Sequence, residues 1–174
     1  MQRIAVFAPL LVLLVVVLAS AFLLTRGGER EQFKAGMVGR AAPAYALQRL
    51  DGGEPVTPAA FAGRPYLINV FASWCTPCRA EHAQLVELQR SGVAILGVAY
   101  KDAPEDTAAF LRELGNPFAE VGMDPEGRYG LELGVTGAPE TFVVGADGEI
   151  RAAYRGALTP DVVRETILPA LRAN

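Results

Sequence analysis

The hydrophobic positions of the chain form one long run near its start and several shorter runs after it. The short runs read as strands, because their apolar residues are continuous or alternate with polar ones. Between them lie segments with apolar residues at helical spacing, closed by glycine, asparagine or proline. The strand candidates are Ala44–Leu50, Tyr66–Ala72, Val93–Tyr100, Thr141–Val144 and Glu149–Tyr154.

Three helices are predicted between and after these strands. The first covers Glu81–Arg90 and ends at a serine and a glycine. The second follows Asp102, which we expect to cap it, with Glu105 at the capping-box position. The third opens at Thr159–Pro160. The order β-α-β-α followed by β-β-α predicts an α/β layer architecture.

The long apolar run, Ile4–Leu24, contains 21 residues without a charge. As a helix it would cover about 30 Å, the hydrocarbon thickness of a bilayer. A cleaved signal peptide is the alternative, because Ala19–Ala21 has the small-x-small form of a cleavage site. The apolar run continues beyond that site, which favours an uncleaved anchor. We therefore expect one N-terminal transmembrane helix within an anchor over residues 1–26, a linker over 27–38 and one domain over 39–174.

The charges beside this run do not decide which side of the membrane the domain faces. Arg3 precedes the run, whereas Arg26, Arg30 and Lys34 follow it. By the positive-inside rule these charges would keep the domain in the cytoplasm. The first helix of a chain is a frequent exception, and domains can cross regardless of flanking charge.

The overall charge excludes one broad class of partner. The chain has 16 Lys and Arg against 19 Asp and Glu, and only Arg3 lies in its first 24 residues. The remainder therefore carries 15 positive and 19 negative residues, a net charge of −4. Such a domain offers no basic field for nucleic acid.

The two cysteines, Cys75 and Cys78, form a single C-x-x-C pair. A structural zinc site needs four donors, and His82 would supply a third at most. Arg79 follows the pair where a c-type haem attachment motif has histidine. A structural clip remains possible, although closing so short a loop gains little entropy. Redox chemistry is the interpretation that fits best, with no metal and no prosthetic group besides the Cys75–Cys78 disulfide.

The pair lies where a buried strand ends and a helix begins, which suits thiol–disulfide exchange. That reaction needs a thiolate nucleophile and a second thiol near enough to resolve the mixed disulfide. Unpaired N–H groups at a helix start favour a thiolate over a thiol. We expect Cys75, at the cap, to be the exposed attacking thiol and Cys78, one turn into the helix, to be the buried resolving thiol.

Four motifs resemble the DsbE/CcmG family of cytochrome c biogenesis proteins, within the thioredoxin superfamily. W-C-x-x-C alone is typical of the superfamily, whereas G-A-P-E-T-F together with Y-K-D is far more specific. The resemblance extends from about Gly39 to the last helix. It implies a thioredoxin-like fold with a central mixed sheet flanked by helices. The motifs are Asn69–His82, Gly97–Asp102, Leu114–Pro117 and Gly134–Phe142.

The resemblance also implies roles for residues around the cysteines. Pro139 corresponds to the family's cis-proline, and a cis bond would place the Ala138 backbone beside Cys75, where an extended substrate can pair with it. Glu140 corresponds to an acid of the family's substrate groove, with simple solvation as the alternative explanation for a glutamate there. The implied substrate-binding positions are Trp74, Thr76, Pro77, Ala138, Pro139 and Glu140.

Two further positions bear on proton handling. Asn69 stands where thioredoxin has a buried aspartate, and asparagine cannot titrate, so that proton relay is expected to be absent. Glu81 resembles the acid that the family places near its thiols, and we expect it to be a catalytic residue beside Cys75 and Cys78. A negative charge there would raise thiol pKa values. By spacing alone, Glu81 could equally be an ordinary exposed helix residue.

By resemblance the protein is expected to be a protein-disulfide reductase of cytochrome c maturation. Its substrate would be a disulfide in an apocytochrome c haem motif or in a partner thiol protein. A membrane electron donor of the DsbD/CcdA type would re-reduce it, because the compartment is oxidising. The expected location is the bacterial inner membrane, as a single-pass protein whose catalytic domain faces the periplasm.

Three other functions compete with this one. A general periplasmic thiol oxidase or reductase would differ from such a reductase in its reduction potential or in its range of substrates. The reduction potential is about −120 mV for strong oxidants and about −270 mV for thioredoxin. A thiol peroxidase usually has threonine at the position of Ala72 and needs no C-x-x-C. A non-catalytic tethered module that binds haem or a partner would show no disulfide turnover.

Overall fold

The computed structural model describes residues 12–20 and 36–173. The two ranges belong to separate units, divided between Gln32 and Phe33. Residues 12–20 form a helix with exposed side chains. The rest of the predicted span Ile4–Leu24, like most of the predicted linker, lies outside the described residues. Within the described ranges, no helix is long and apolar enough to cross a membrane.

A six-stranded mixed sheet forms the centre of the second unit, in the order β1-β4-β3-β2-β5-β6. The three central strands β2, β3 and β4 run parallel, while β1, β5 and β6 each pair antiparallel with a neighbour. This confirms the predicted α/β fold with a mixed sheet. The strands are β1 (Gln48–Arg49), β2 (Tyr66–Phe71), β3 (Ala94–Tyr100), β4 (Glu120–Asp124), β5 (Glu140–Val144) and β6 (Ile150–Arg155).

Helices connect the strands and cover the sheet. A short 3-10 turn, Pro58–Phe61, precedes β2. The helices are α1 (Thr76–Arg90), α2 (Pro104–Leu114), α3 (Arg128–Glu132) and a last helix, α4, built from α-helical Pro160–Val162, π-helical Val163–Ile167 and α-helical Leu168–Arg172. Helix α1 thus starts five residues earlier than the apolar spacing indicated, at the cysteine pair itself.

Each face of the sheet carries its own apolar core. Alternate side chains of a strand point to opposite faces, so Leu67 and Phe71 of β2 enter one core while Ile68 and Val70 enter the other. The first core is closed by α1, α2 and α4, and it contains both cysteines. The second core is closed by the segment before β2 and by α3.

Two elements escaped the sequence analysis, and one strand was predicted too long. Strand β4 has only two large apolar residues, Val121 and Met123, too few to show a pattern. Helix α3 has only five residues, which is shorter than hydrophobic periodicity can detect. It begins after Gly127, whose φ is +71°. Of the predicted strand Ala44–Leu50 only Gln48–Arg49 is regular, with Leu47 in an isolated bridge to Val56.

Pro169 accounts for the irregular last helix. Proline has no N–H to donate to the carbonyl four residues earlier, and its ring crowds that carbonyl. The backbone widens to a π-helical turn over Val163–Ile167 immediately before Pro169. The helix still begins as predicted, with the Thr159 hydroxyl accepting a hydrogen bond from the Val162 N–H.

Gly97 in β3 makes a close sheet-to-core contact that a substitution can test. A Cβ at this position would lie 2.7 Å from ring atoms of Phe118, which is itself buried. We expect Gly97→Ala to lower the free energy of unfolding by about 1–3 kcal/mol, because the core has no room to relax. Urea unfolding of the full-length protein, followed by circular dichroism, measures the change.

Gly36→Ala is the matched control for this substitution. No atom of the residues that the structure describes lies within 4 Å of a Cβ at Gly36, and the φ of Gly36 lies outside the left-handed region. We expect a change within about 0.5 kcal/mol. Equal unfolding midpoints for Gly97→Ala and Gly36→Ala would show that β3 and Phe118 are not packed as described.

Candidate active site

Cys75 occupies the N-cap of α1, directly after the loop that leaves β2. Its N–H donates to the Ala72 carbonyl at 3.2 Å, which closes a turn between strand and helix. The Cys78 N–H lies 3.1 Å from Cys75 Sγ, so a helix-terminal N–H is directed at this sulfur. The two cysteines form a disulfide with Cα atoms 5.3 Å apart. The predicted strand-to-helix position of the pair is therefore confirmed.

Cys75 is not exposed in this oxidised state, which corrects the expectation from sequence. Cys75 is 3% exposed and Cys78 is 2% exposed. The reason is that the disulfide turns Cys75 Sγ inward, over the first turn of its own helix and into the first core. In the oxidised form, solvent exposure does not distinguish the two cysteines. What does separate them is the N-cap position of Cys75 and the N–H directed at its sulfur.

The loop before Cys75 is held by the connection between β3 and α2. Asp102 accepts hydrogen bonds from the Ser73 N–H and the Ser73 hydroxyl, both at 2.7 Å. The Trp74 indole N–H donates to the Lys101 carbonyl at 3.1 Å. Trp74 is 58% exposed, and Thr76 and Pro77 are exposed on the first turn of α1. The three predicted substrate-binding residues next to the cysteines thus lie on one accessible rim.

The expectation that Asp102 caps α2 is wrong. The N-cap is Ala103, and no side chain caps the helix. The Asp102 carboxylate binds the Ala103 N–H and the Thr107 hydroxyl as well as Ser73. The capping pattern was misleading because the loop before Cys75 also offers two donors to this carboxylate.

Glu81 lies inside the protein rather than on the helix surface. It is fully buried, three residues after Cys78 on the same helix. Asn69 Nδ2 donates to Glu81 Oε1 at 2.9 Å, and the Leu158 N–H donates to Glu81 Oε2 at 2.8 Å. Thr141 Oγ1 also accepts from Asn69 Nδ2, at 3.0 Å. The carboxyl therefore ties α1 to β2, to β5 and to the loop before α4.

This burial gives Glu81 an unusual acidity. Loss of water raises the pKa of the carboxyl from 4.5 to about 7, and the N–H donors of Leu158 and Asn69 oppose the rise. Asn69 cannot titrate, but it holds a residue that can. The strand position thus carries no titratable group, as expected from Asn69, and the buried carboxyl is supplied by Glu81 of the helix, the acid that the resemblance implied.

The Ala138–Pro139 peptide bond is cis, as the resemblance implied. In the sheet Glu140 pairs with Val70 near the end of β2, so Pro139 lies beside the strand end from which the cysteine loop leaves. Ala138 is half-buried and packs against the core that contains both cysteines. Pairing of its backbone with an extended substrate stays a prediction.

Glu140 does not extend into open solvent. It is 3% exposed, and its carboxylate accepts from the Thr136 N–H and hydroxyl at 2.8 and 2.9 Å. Arg155 Nε lies 3.3 Å from the same oxygen. These contacts fix the chain that leads into Pro139, and they overturn simple solvation as the explanation for Glu140. Contact with a substrate stays a prediction.

The arrangement can exchange electrons and protons with another disulfide. Two sulfurs, a directed N–H and a buried carboxyl that gains or loses its proton near neutral pH lie within the first two turns of α1. Among residues 12–20 and 36–173, no group of three or more His, Cys, Asp or Glu side chains could hold a metal ion.

Sequence reasoning underrated Glu81 and misassigned Asp102. For Glu81 a signal was available, because Cys78, Glu81, Leu85 and Leu88 recur at helical spacing and are all buried on one face. For Asp102 no local pattern could help, since its partner Ser73 lies 29 positions earlier.

Comparison with known proteins is consistent with this chemistry. The family model described as Redoxin matches residues 37–168. The chain is 40% identical over 172 residues to the thiol:disulfide interchange protein HelX of Rhodobacter capsulatus, covering 98% of this chain and 97% of that protein. It is 37% identical to the thiol:disulfide interchange protein DsbE of Escherichia coli K12, covering 97% of this chain and 94% of that protein.

A crystal structure from Chlorobium tepidum TLS is also similar. It is described as a thiol:disulfide interchange protein of the thioredoxin family. It superposes with a TM-score of 0.63 at 28% identity, covering 75% of this chain and 95% of that chain. The same fold therefore carries the same named chemistry in a related protein.

The raised pKa of Glu81 predicts how stability depends on pH. The folded protein holds this proton up to about pH 7, whereas the unfolded chain holds it only up to about pH 4.5. The stability contributed by the protonated carboxyl is therefore fully present below pH 4.5. Between these values each pH unit lowers the free energy of unfolding by about 1.4 kcal/mol. We expect Glu81→Gln to lose this decline, measured by urea unfolding from pH 4 to 8.

The site suits this variant, since glutamine resembles the protonated acid in shape. If the Asn69 amide turns, its Oδ1, which has no partner among the described residues, can accept from the new amide. Glu87→Gln is the matched control, because Glu87 is exposed on the same helix. If the unmodified protein and Glu81→Gln show the same pH dependence, the carboxyl is not buried as described.

Proposed function

The chain belongs to the Redoxin family and, within it, to the thiol:disulfide interchange proteins of the DsbE type, and on that premise we propose that it reduces disulfides in apocytochrome c haem-binding motifs or in a partner thiol protein during cytochrome c maturation. Its activity as a thiol–disulfide oxidoreductase follows from the family. The proposal adds the direction of electron flow, the substrate and the place of action.

The observation that supports reduction is the burial of Glu81 one turn after Cys78. Strong oxidants of this superfamily owe their potential to a stabilised thiolate in the reduced form. An ionised carboxylate near the thiols opposes that thiolate and so favours release of electrons to a substrate. A buried carboxyl with a pKa of about 7 spends part of its time ionised at neutral pH.

In the proposed reaction the Cys75 thiolate attacks one sulfur of the substrate disulfide. This forms a mixed disulfide and releases the other substrate sulfur as a thiolate, which takes up a proton from solvent. Cys78 then gives its proton to the Glu81 carboxylate and attacks the Cys75 sulfur. The second substrate thiolate leaves, and the enzyme retains the Cys75–Cys78 disulfide. Two electrons have passed to the substrate.

Substrate recognition is proposed to use the rim around this pair. Trp74 and the first turn of α1 are accessible on one side, and the Ala138 backbone beside the cis-proline lies at the end of β2. A haem-binding segment with its cysteines in a C-x-x-C-H motif can lie extended across this rim and pair with that backbone. Glu140 positions the chain entering Pro139 through its contacts with Thr136 and Arg155.

Re-reduction of the disulfide requires two electrons from elsewhere. We propose a membrane donor of the DsbD/CcdA type, since no reducing thiol pool exists outside the cytoplasm. The apolar run Ile4–Leu24 would hold the enzyme near such a donor as a single-pass anchor in the bacterial inner membrane.

Trapping in cells tests the substrate and the roles of the thiols. We expect full-length Cys78→Ser to accumulate mixed disulfides with apocytochrome c or a dedicated thiol partner, because Cys75 can attack but cannot be resolved. Mass spectrometry of the adducts identifies the attached protein. Cys75→Ser is the matched control and should accumulate none.

Three outcomes would contradict the proposal. Adducts on Cys75→Ser alone would reverse the roles of the two cysteines. Adducts with many unrelated secreted proteins would indicate a general oxidoreductase. A reduction potential of about −120 mV for the purified protein would indicate an oxidase rather than a reductase.

The place of action has its own test. We expect protease added to intact spheroplasts to digest the domain and leave a short anchored fragment, because apocytochrome haem motifs are met outside the cytoplasm. Immunoblotting of the digested membranes follows both pieces. A domain that stays protected until the spheroplasts are lysed would place it in the cytoplasm, and would overturn the proposed substrate as well.

A further inference from the structure

The loop Ala72–Cys75 is fastened to the connection between β3 and α2 by the Asp102 carboxylate and by the Trp74 indole. The Cys75 N–H bond to the Ala72 carbonyl lies within the loop itself. Asp102 accepts from Ser73 twice, once from the backbone N–H and once from the hydroxyl. Asp102 is 7% exposed, so water competes little for these bonds.

Asp102 is itself held in one orientation by the start of α2. Its Oδ2 accepts from the Thr107 hydroxyl at 2.8 Å, and its Oδ1 accepts from the Ala103 N–H at 3.1 Å. Thr107 is fully buried, so this side of the clamp belongs to the core. Each carboxylate oxygen therefore receives one donor from the cysteine loop and one from α2.

The preceding residue adopts a backbone conformation that suits this clamp. Lys101 has a φ of +49°, the left-handed region that residues other than glycine seldom occupy. Its N–H donates to the Asp124 carbonyl, and its own carbonyl accepts from the Trp74 indole. The turn at Lys101 thus directs one acceptor at Trp74 and places Asp102 against Ser73.

From this geometry we propose that Asp102 is a positioning residue for thiol–disulfide exchange, which holds the Ser73–Trp74 segment so that Cys75 stays aligned at the start of α1. The alignment matters because the Cys78 N–H stabilises charge on the Cys75 sulfur only when directed at it. A loosened loop lets Cys75 leave the cap, and its thiolate then forms less readily.

Asparagine at position 102 is a sharp test, because neither orientation of the amide satisfies the site. If the NH₂ group of the asparagine takes the place of Oδ2, it faces the Ser73 N–H, and two donors meet. If the NH₂ group takes the place of Oδ1, it faces the Ala103 N–H, again a donor. Neither backbone donor can turn away. The substitution therefore keeps the shape of the side chain while removing one acceptor.

The experiment measures the alkylation rate of Cys75 by iodoacetamide against pH, in the full-length Cys78→Ser background, where Cys75 is the only thiol. We expect Asp102→Asn to lower the rate at pH 7 at least fivefold and to move the midpoint of the pH profile upward. Ser73→Ala, which removes only the hydroxyl contact, should have a smaller effect. The rate loss in the Ser73→Ala/Asp102→Asn double variant should be smaller than the product of the two single losses, since both substitutions weaken the same pair of residues.

Asp106→Asn is the matched control, because Asp106 is an exposed carboxylate in the first turn of the same helix. Its pH profile should coincide with that of the background protein. All rates are taken well below each variant's unfolding temperature. If Asp102→Asn lowers only the unfolding temperature and leaves the profile unchanged, Asp102 is merely structural. Alkylation uses no protein substrate, so this outcome is independent of the proposed role in cytochrome c maturation.

Discussion

The structure depends on what meets at the carboxyl end of β2. This strand is central in the sheet, with β3 parallel on one side and β5 antiparallel on the other. A parallel neighbour ends at the same edge, and an antiparallel neighbour begins there. The cysteine loop leaves β2 at this edge, Asp102 follows β3 there, and Pro139 precedes β5 there. Strand order alone therefore assembles three distant parts of the sequence around one disulfide.

Within this frame, the structural role of Glu81 opposes the chemical role proposed for it. Its hydrogen bonds join α1 to β2 and to the loop before α4, inside a largely apolar core. Burial raises the pKa of the carboxyl to about 7, so ionising it costs the fold some stability. A helix residue chosen only for stability would be apolar at this position. The retained carboxyl fits a protein whose disulfide exchange needs a nearby proton acceptor.

The sequence predicted the parts of the molecule that carry strong local signals. Strands β2 and β3 are continuous apolar runs, and the C-x-x-C pair at a strand-to-helix junction indicated its chemistry directly. Strand β4 was not predictable, because its pairing with β3 and β1, rather than its composition, makes it a strand. The same limit applies to Asp102, whose role comes from a partner in another loop. The sequence indicated the Cys75–Cys78 disulfide, but no pattern of residues showed that both cysteines are buried.

Trp74 gives the disulfide a built-in optical reporter. It is the only tryptophan of the chain, it is the immediate neighbour of Cys75, and its indole is held against the Lys101 carbonyl. An excited indole passes an electron readily to a disulfide in contact with it, and a pair of thiols accepts one far less well. We therefore expect the fluorescence of Trp74 to be weaker in the oxidised protein than in the reduced one. Electron transfer to and from its partners can be followed in real time without any attached dye.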